Sequence, residues 1–166
     1  MQYVSQNAQF SACGNYRYSL ERRWKGGNGR VLFVGLNPST ADHKKDDPTI
    51  RRCVGFARAW GFNSMEIVNL FAYRATYPAD LKAAPDPVGT ANDRWIKAAQ
   101  QRSDKTIACW GSIGRFRDRA ATVLKNLANP YCLKLNQSLE PAHPLYLKAS
   151  LKPFPYQPPA ERHEKP

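Results

Sequence analysis

Asn37, Asn69 and His143 each sit in a short motif, GLNPS, VNLF and HPLYL, and the carboxylates Asp42, Asp46 and Asp47 lie between the first two. An amide such as Asn37 can orient a water but cannot take its proton at neutral pH. Asn69 offers a donor and an acceptor together, enough to read the hydrogen-bonding edge of a polar ligand. His143, in a loop stiffened by Pro141 and Pro144, can donate to a carbonyl oxygen or a departing anion. Any of the three carboxylates can steady a cation or serve as a base, and Asp47, directly before Pro48, equally fits a helix N-cap. Asp42, His43 and Asp46 have the donor types of a metal site, but Lys44 and Lys45 stand between them and cancel much of the field a cation needs. No metal or other cofactor is expected.

These residues converge only if the right elements carry them. Residues 31–36, VLFVGL, read as a buried strand that stops at Gly35, because the run is short, apolar and β-branched. Residues 49–60 place Ile50, Cys53, Val54 and Ala57 at helical spacing with Arg51 and Arg58 opposite, an amphipathic helix with a basic outer face. A second strand follows at residues 65–71, then a helix at 90–101 with Thr90 and Asp93 as an N-cap pair. Residues 105–110 read as a third strand, and Ile113, Phe116, Ala120, Val123, Leu124 and Leu127 as the apolar stripe of a helix. Arg115, Arg117, Arg119 and Lys125 fall on its exposed side, and a short fourth strand lies at residues 131–135. Alternating strands and helices imply a parallel sheet covered on both faces, with a ligand crevice at the carboxyl ends of its strands. Each motif falls at such an end.

At 166 residues and 42% hydrophobic composition, the chain fits one compact domain. Within it we expect an N-terminal arm or hairpin over residues 1–30, the α/β domain over 31–152 and a Pro-rich tail over 153–166. The 25 Lys and Arg against 13 Asp and Glu give a net charge of +12, which favours a polyanionic partner, DNA first. Cys13, Cys53, Cys109 and Cys132 are scattered without metal-ligand spacing and read as buried thiols, so an iron-sulfur cluster is not expected. No leader pattern and no apolar run long enough to cross a bilayer is visible. A monomeric protein in the cytoplasm, with no membrane partner, is the expectation.

The motifs also carry a resemblance. Over residues 30–152 the segments LNPSTAD, DPTIRRC, VNLFAYRAT and HPLYL resemble an uncharacterised bacterial family of unknown function. That family in turn resembles a distant branch of the uracil-DNA glycosylase superfamily. The resemblance implies a three-layer α/β/α sandwich around a small four-stranded parallel sheet. It makes Asn37 in GLNP the water-positioning residue and Asn69 the reader of a flipped base. Trp110 and Gly111 are similar to the WG that opens a helix after the third strand. HPLYL looks like a degenerate late loop, in which His143 contacts the base and Leu145 or Tyr146 wedges into the stack. The chain departs from the pattern in having no carboxylate at position 37, no stacking aromatic in residues 41–51 and Leu145 where a serine is usual.

The expected activity is that of a DNA glycosylase, flipping a pyrimidine, uracil or a modified base, and leaving an abasic site in repair or defence against phage. Its catalytic candidates are Asn37, His143, Asp42, Asp46 and Asp47. Gly35, Leu36, Pro38, Ser39, Asn69 and Phe71 would line the substrate site from the first two strands, and Trp110, Leu145 and Tyr146 from the later loops. Arg51, Arg52, Arg74, Arg115 and Lys148 would hold phosphates. The alternatives are a non-catalytic nucleic-acid-binding module and a metal-dependent phosphoesterase built on the Asp42 to Asp47 loop.

Overall fold

A computed structural model describes residues 2–158. Its centre is β3 (Arg30–Gly35), in which Val31 and Phe33 face one side and Leu32 and Val34 the other, as the two-residue period of a strand requires. β3 pairs in parallel with β4 (Ser64–Asn69) on one edge and with β5 (Lys105–Ala108) on the other. β6 (Tyr131–Cys132) continues in parallel beyond β5.

The expected four parallel strands are therefore present, but they are only the middle of the sheet. The expectation of a small, purely parallel sheet is corrected to a seven-stranded mixed sheet in the order β1-β2-β4-β3-β5-β6-β7. The N-terminal segment forms an antiparallel hairpin of β1 (Ser5–Phe10) and β2 (Arg17–Arg23), and β2 docks antiparallel on β4. At the far edge β7 (Phe154–Pro155), within the Pro-rich tail, pairs antiparallel with β6; residues 159–166 of that tail lie outside the described residues. The general α/β class stands. The extra strands leave little trace in the sequence because RYSLERR carries charges on both faces and the outer pair, β6 and β7, is two residues long.

Helix α1 (Pro48–Ala59) covers one face with Ile50, Cys53, Val54, Phe56 and Ala57. Pro48 opens its first turn and the Asp47 side chain accepts the Ile50 amide at 2.9 Å, a cap worth about 1 kcal/mol. The other face is covered by α2 (Pro78–Ala83), α3 (Asn92–Gln101) and α4 (Arg119–Leu124). The long helix expected after β5 is broken instead. A 3-10 segment (Ser112–Asp118) precedes α4, and Arg117 and Asp118 take positive φ between them. Arg119 is consequently buried, donating to the Leu70 carbonyl at 2.8 Å and pairing with Asp93 at 2.6 Å. Asp93 is thus an ion-pair partner, and Ala91 stands at the N-cap of α3 without a side-chain cap.

One charged cluster staples the hairpin to the sheet. Glu66 is fully buried and accepts from Ser19 at 2.5 Å, Arg30 at 2.7 Å and Arg102 at 2.6 and 3.0 Å. Arg30 also pairs with Glu21. A buried carboxylate is tolerable only with its lone pairs satisfied in this way.

Candidate functional site

Strand order reverses at β3, since the chain passes to β4 on one side and then crosses to β5 on the other. In open α/β sheets ligands bind at such a reversal. A crevice of about 40 Å³ opens there, walled by Gly35, Leu36, Asn37, Pro38 and Ser39 after β3, Ile67 and Asn69 of β4, and Cys109 after β5. Asp47, Thr49 and Ile50 at the head of α1 and His143 with Pro144 complete it, together with Arg17 from the start of β2. At roughly 10–15 Å³ per water it has space for about three or four waters.

Asn37 is held by backbone. Its Nδ2 donates to the carbonyls of Ala75 at 2.7 Å and Pro38 at 3.0 Å, and two carbonyl partners fix which end of the amide is nitrogen. Oδ1 is left as the acceptor for an occupant of the crevice. Asn69, 3% exposed, packs its Oδ1 against Gly35, where a Cβ would stand 2.8 Å away. Only glycine at position 35 leaves room for that amide. The Asn69 Nδ2 is buried without a partner, a costly state that calls for an acceptor.

Behind Asn69 the strand end is fixed by Asn92, whose Nδ2 donates to the carbonyls of Asn69 at 2.9 Å and Leu70 at 3.1 Å. Arg119 adds a second bond to the Leu70 carbonyl. These groups satisfy carbonyls that have no strand partner and so set the direction of Asn69.

Asp47 caps α1 through Oδ1, while its Oδ2 has only a long contact of 3.4 Å from the Ala41 amide. Asp47 is thus the N-cap of α1 and also lines the crevice. His143 accepts the Leu145 amide on Nδ1 at 3.2 Å, which puts the proton of the neutral ring on Nε2. Burial lowers its pKa below the ordinary histidine value, against the opposing pull of the Asp47 charge. The ring is a neutral hydrogen-bond donor near pH 7.

The remaining sequence candidates are dispersed. Asp42 is spent on the Lys44 and Lys45 amides, both at 2.8 Å, which lower its pKa. Asp46 pairs with Arg22 at 2.9 Å and accepts the Tyr3 hydroxyl at 2.5 Å. Among the described residues no group of three or more His, Cys, Asp or Glu is placed to hold a metal ion. Phe71 is fully buried in the core beside Phe116. Trp110 is buried too, its Nε1 donating to Glu140 at 2.9 Å, and Arg115 pairs with the same carboxylate at 3.1 Å. Cys13 is exposed, and its thiol pKa is lowered by the Ser11 hydroxyl; the other three cysteines are buried.

Outside the crevice, Tyr146 is 97% exposed and takes a φ of +68°, a conformation that strains a non-glycine residue by about 1–3 kcal/mol. Leu145 beside it is half-buried and Lys148 exposed. Arg51 and Arg52 of α1 line a shallow depression shared with Ala149. A groove of about 560 Å³ adjoins the crevice at Ser39 and runs past Tyr73, Arg74, Thr76 and Tyr77. Arg74 is anchored there, donating to the Gly14 carbonyl at 3.1 Å and lying over the Phe10 ring.

Residues 17–145 match the model of a family described as a protein of unknown function (DUF1643). The chain belongs to this family. The matched segment runs from Arg17 on β2 to Leu145 beside His143, so it spans the whole crevice. Among curated proteins and among solved structures nothing matches the chain.

Sequence reasoning missed Thr49, Ile50, Ile67, Cys109 and Pro144 as lining residues and, among charged groups, Arg17. It is 2% exposed, its Nη1 donates to the Ala41 carbonyl at 3.1 Å, and its Nε is buried without a partner. In the string YRYSLERR it reads as one more surface charge. The signal available was the neighbourhood: an arginine flanked by Tyr16 and Tyr18, both drawn into aromatic contacts with Tyr73 and Trp95.

Proposed function

We propose that the chain is a DNA glycosylase that extrudes a pyrimidine, uracil or a modified base, into this crevice and hydrolyses its glycosidic bond. The observation that carries the reading is the meeting of Asn37, Asp47, Asn69 and His143 in one crevice at the strand ends. The likeness of GLNP, IVNLF and HPLYL to motifs of the uracil-DNA glycosylase superfamily supports it, as does the net charge of +12. A strained, exposed Tyr146 three residues after His143 suits a side chain that fills the gap left by a flipped nucleotide.

In this mechanism the Oδ1 of Asn37 and the free oxygen of Asp47 hold a water against C1′. The C1′–N bond breaks first, its electron pair leaving with the base, and the sugar becomes oxocarbenium-like. The water oxygen then bonds to C1′ and its proton passes to Asp47, whose negative charge has already steadied the cation. Asn69 Nδ2 and the Nε2–H of His143 meet the base. Because the crevice in its present form has space only for waters, the loops bearing Asn37 and His143 separate to admit a nucleotide.

The test is an abasic-site assay on single- and double-stranded oligonucleotides carrying uracil, 5-hydroxymethyl or glucosylated pyrimidines, developed with hot alkali. Alkali-dependent cleavage that drops about 100-fold or more in Asn37→Ala is expected, the scale of loss from misplacing a reacting group. Absence of abasic product on every substrate sinks the assignment. The closed crevice favours one second reading, a DNA-binding module without catalysis, which predicts salt-sensitive binding unchanged in Asn37→Ala.

A further inference from the structure

Among the described residues three arginines are almost completely buried: Arg17, Arg22 and Arg119. Arg22 has Asp46 and Arg119 has Asp93 as carboxylate partner. Arg17 forms no ion pair among the described residues, and its Nε has no acceptor at all. Its counter-charge is Asp47 of the same crevice, which supports the cation through space without a direct ion pair, so burial is only partly offset. The Asn69 Nδ2, at the same crevice, is a second buried donor without a partner. Two unsatisfied donors, one of them cationic, at one small cavity specify an occupant that accepts hydrogen bonds and carries negative charge.

Asp47 narrows the class further. Its carboxylate lies on the wall formed by the head of α1, whereas Arg17 and Asn69 belong to β2 and β4. Ala41 bridges the two charges, its carbonyl accepting from Arg17 and its amide facing Asp47, and a compact dianion such as phosphate meets repulsion from Asp47 wherever it sits in so small a space. A flat monoanion whose charge is spread over ring oxygens meets less of that repulsion once the loops bearing Asn37 and His143 have separated to admit it. Desolvation pulls the Arg17 guanidinium down to about 10, so it remains a cation at neutral pH.

We propose that Arg17 and Asn69 form the oxyanion-receiving pair of this crevice, with Arg17 a catalytic residue that takes up the charge developing on the departing pyrimidine. This deepens the glycosylase reading and rests on it for the catalytic role. Heterolysis of the C1′–N bond leaves positive charge on the sugar and negative charge on the base, the same separation that Asp47 and Arg17 provide in advance. His143, a neutral donor, then assists without itself supplying the counter-charge.

The experiment measures binding separately from turnover. The probes are 5-nitrouracil, a free pyrimidine that is anionic at neutral pH, and inorganic phosphate, titrated calorimetrically into the full chain and into Arg17→Met and Asn69→Leu. Near-ultraviolet circular dichroism confirms that each variant is folded; if Arg17→Met is not, Asn69→Leu decides. The expected result is binding of 5-nitrouracil to the parent chain that weakens roughly 10- to 100-fold in either variant, the range for a lost charge-assisted bond. Phosphate should bind far more weakly. Failure of 5-nitrouracil to bind, equal binding by the parent and the folded variants, or tighter binding of phosphate overturns the proposal. Donor-dependent binding of 5-nitrouracil with no abasic product on any oligonucleotide overturns the glycosylase reading while upholding the oxyanion pair. Turnover gives the last check: Arg17→Met should lose more rate on uracil than on 5-fluorouracil, which leaves more readily. An equal loss on both excludes Arg17 from the departing charge.

Discussion

Replacing Asn69 by leucine should make the protein more stable while disabling it. The two side chains are close in shape, so the leucine can occupy the same space beside Gly35. What disappears is a buried Nδ2 with no partner, and an unsatisfied buried donor costs about 1–3 kcal/mol. The Asn92 bonds run to the backbone carbonyls of residues 69 and 70, so they survive the change. For a chain of 166 residues, each kcal/mol moves Tm by about 2–4 °C, giving an expected rise of about 2–12 °C. A water resting on Nδ2 brings the gain to the low end of that range. Thermal unfolding followed by circular dichroism reads the effect, and an abasic-site assay on the same preparation reads the loss of function. A fall in Tm refutes the reasoning, because it shows that the Asn69 amide holds the fold together instead of awaiting a ligand.

Other perturbations separate the site from its scaffold. Burial depresses the pKa of His143, so the folded chain binds that proton at a lower pH than the unfolded chain does. The resulting contribution is intact above about pH 6.5 and declines as pH falls from there toward the folded-state value; His143→Gln should flatten that part of a Tm-against-pH curve. Glu66→Gln leaves Arg30 and Arg102 without their shared carboxylate and should destabilise by about 3–5 kcal/mol, the cost of breaking a buried ion pair, as read from urea unfolding; a loss under about 1 kcal/mol reassigns the cluster to the surface class. Tyr146→Gly relieves the strain of a positive φ and so should leave Tm unchanged or slightly raised, yet slow base release from duplex DNA more than from single strands. Equal rates on both substrates end the wedge assignment.

Much of this architecture is legible in the chain because the relevant signals are local. Helix α1 shows its buried face as Ile50, Cys53, Val54 and Ala57, and its start as Asp47-Pro48. The central strand β3 appears as an unbroken apolar run, since both of its faces are covered. Asn37 and Asn69 then stand out as polar residues where the first two parallel strands end, whereas His143 lies in a loop well beyond β6. Features set by distant contacts are hidden. Arg17 is buried because β2 docks on β4 and the 41–47 loop folds over it, supplying the Ala41 carbonyl; the flanking Tyr16 and Tyr18 are the one local hint, and the partners that bury it lie far along the chain. Arg119 falls on the exposed side of a continuous helix, whereas positive φ at Arg117 and Asp118 turns the chain and redirects it inward. Asp42 and Asp46, close to Asp47 in sequence, point elsewhere because turn amides and Arg22 claim them.

The crevice draws on chain segments from Arg17 to Pro144, and this gives it a place in time as well as in space. Contacts so far apart along the chain form only after long loops have closed, and they set slow folding. Arg17 arrives only when the hairpin reaches β4, and His143 only when the last parallel strand is in place. A refolding chain should therefore regain its helical signal before it regains the ability to capture an anion. Once captured, that anion is felt by every segment at once, so its binding free energy protects the whole domain against unfolding.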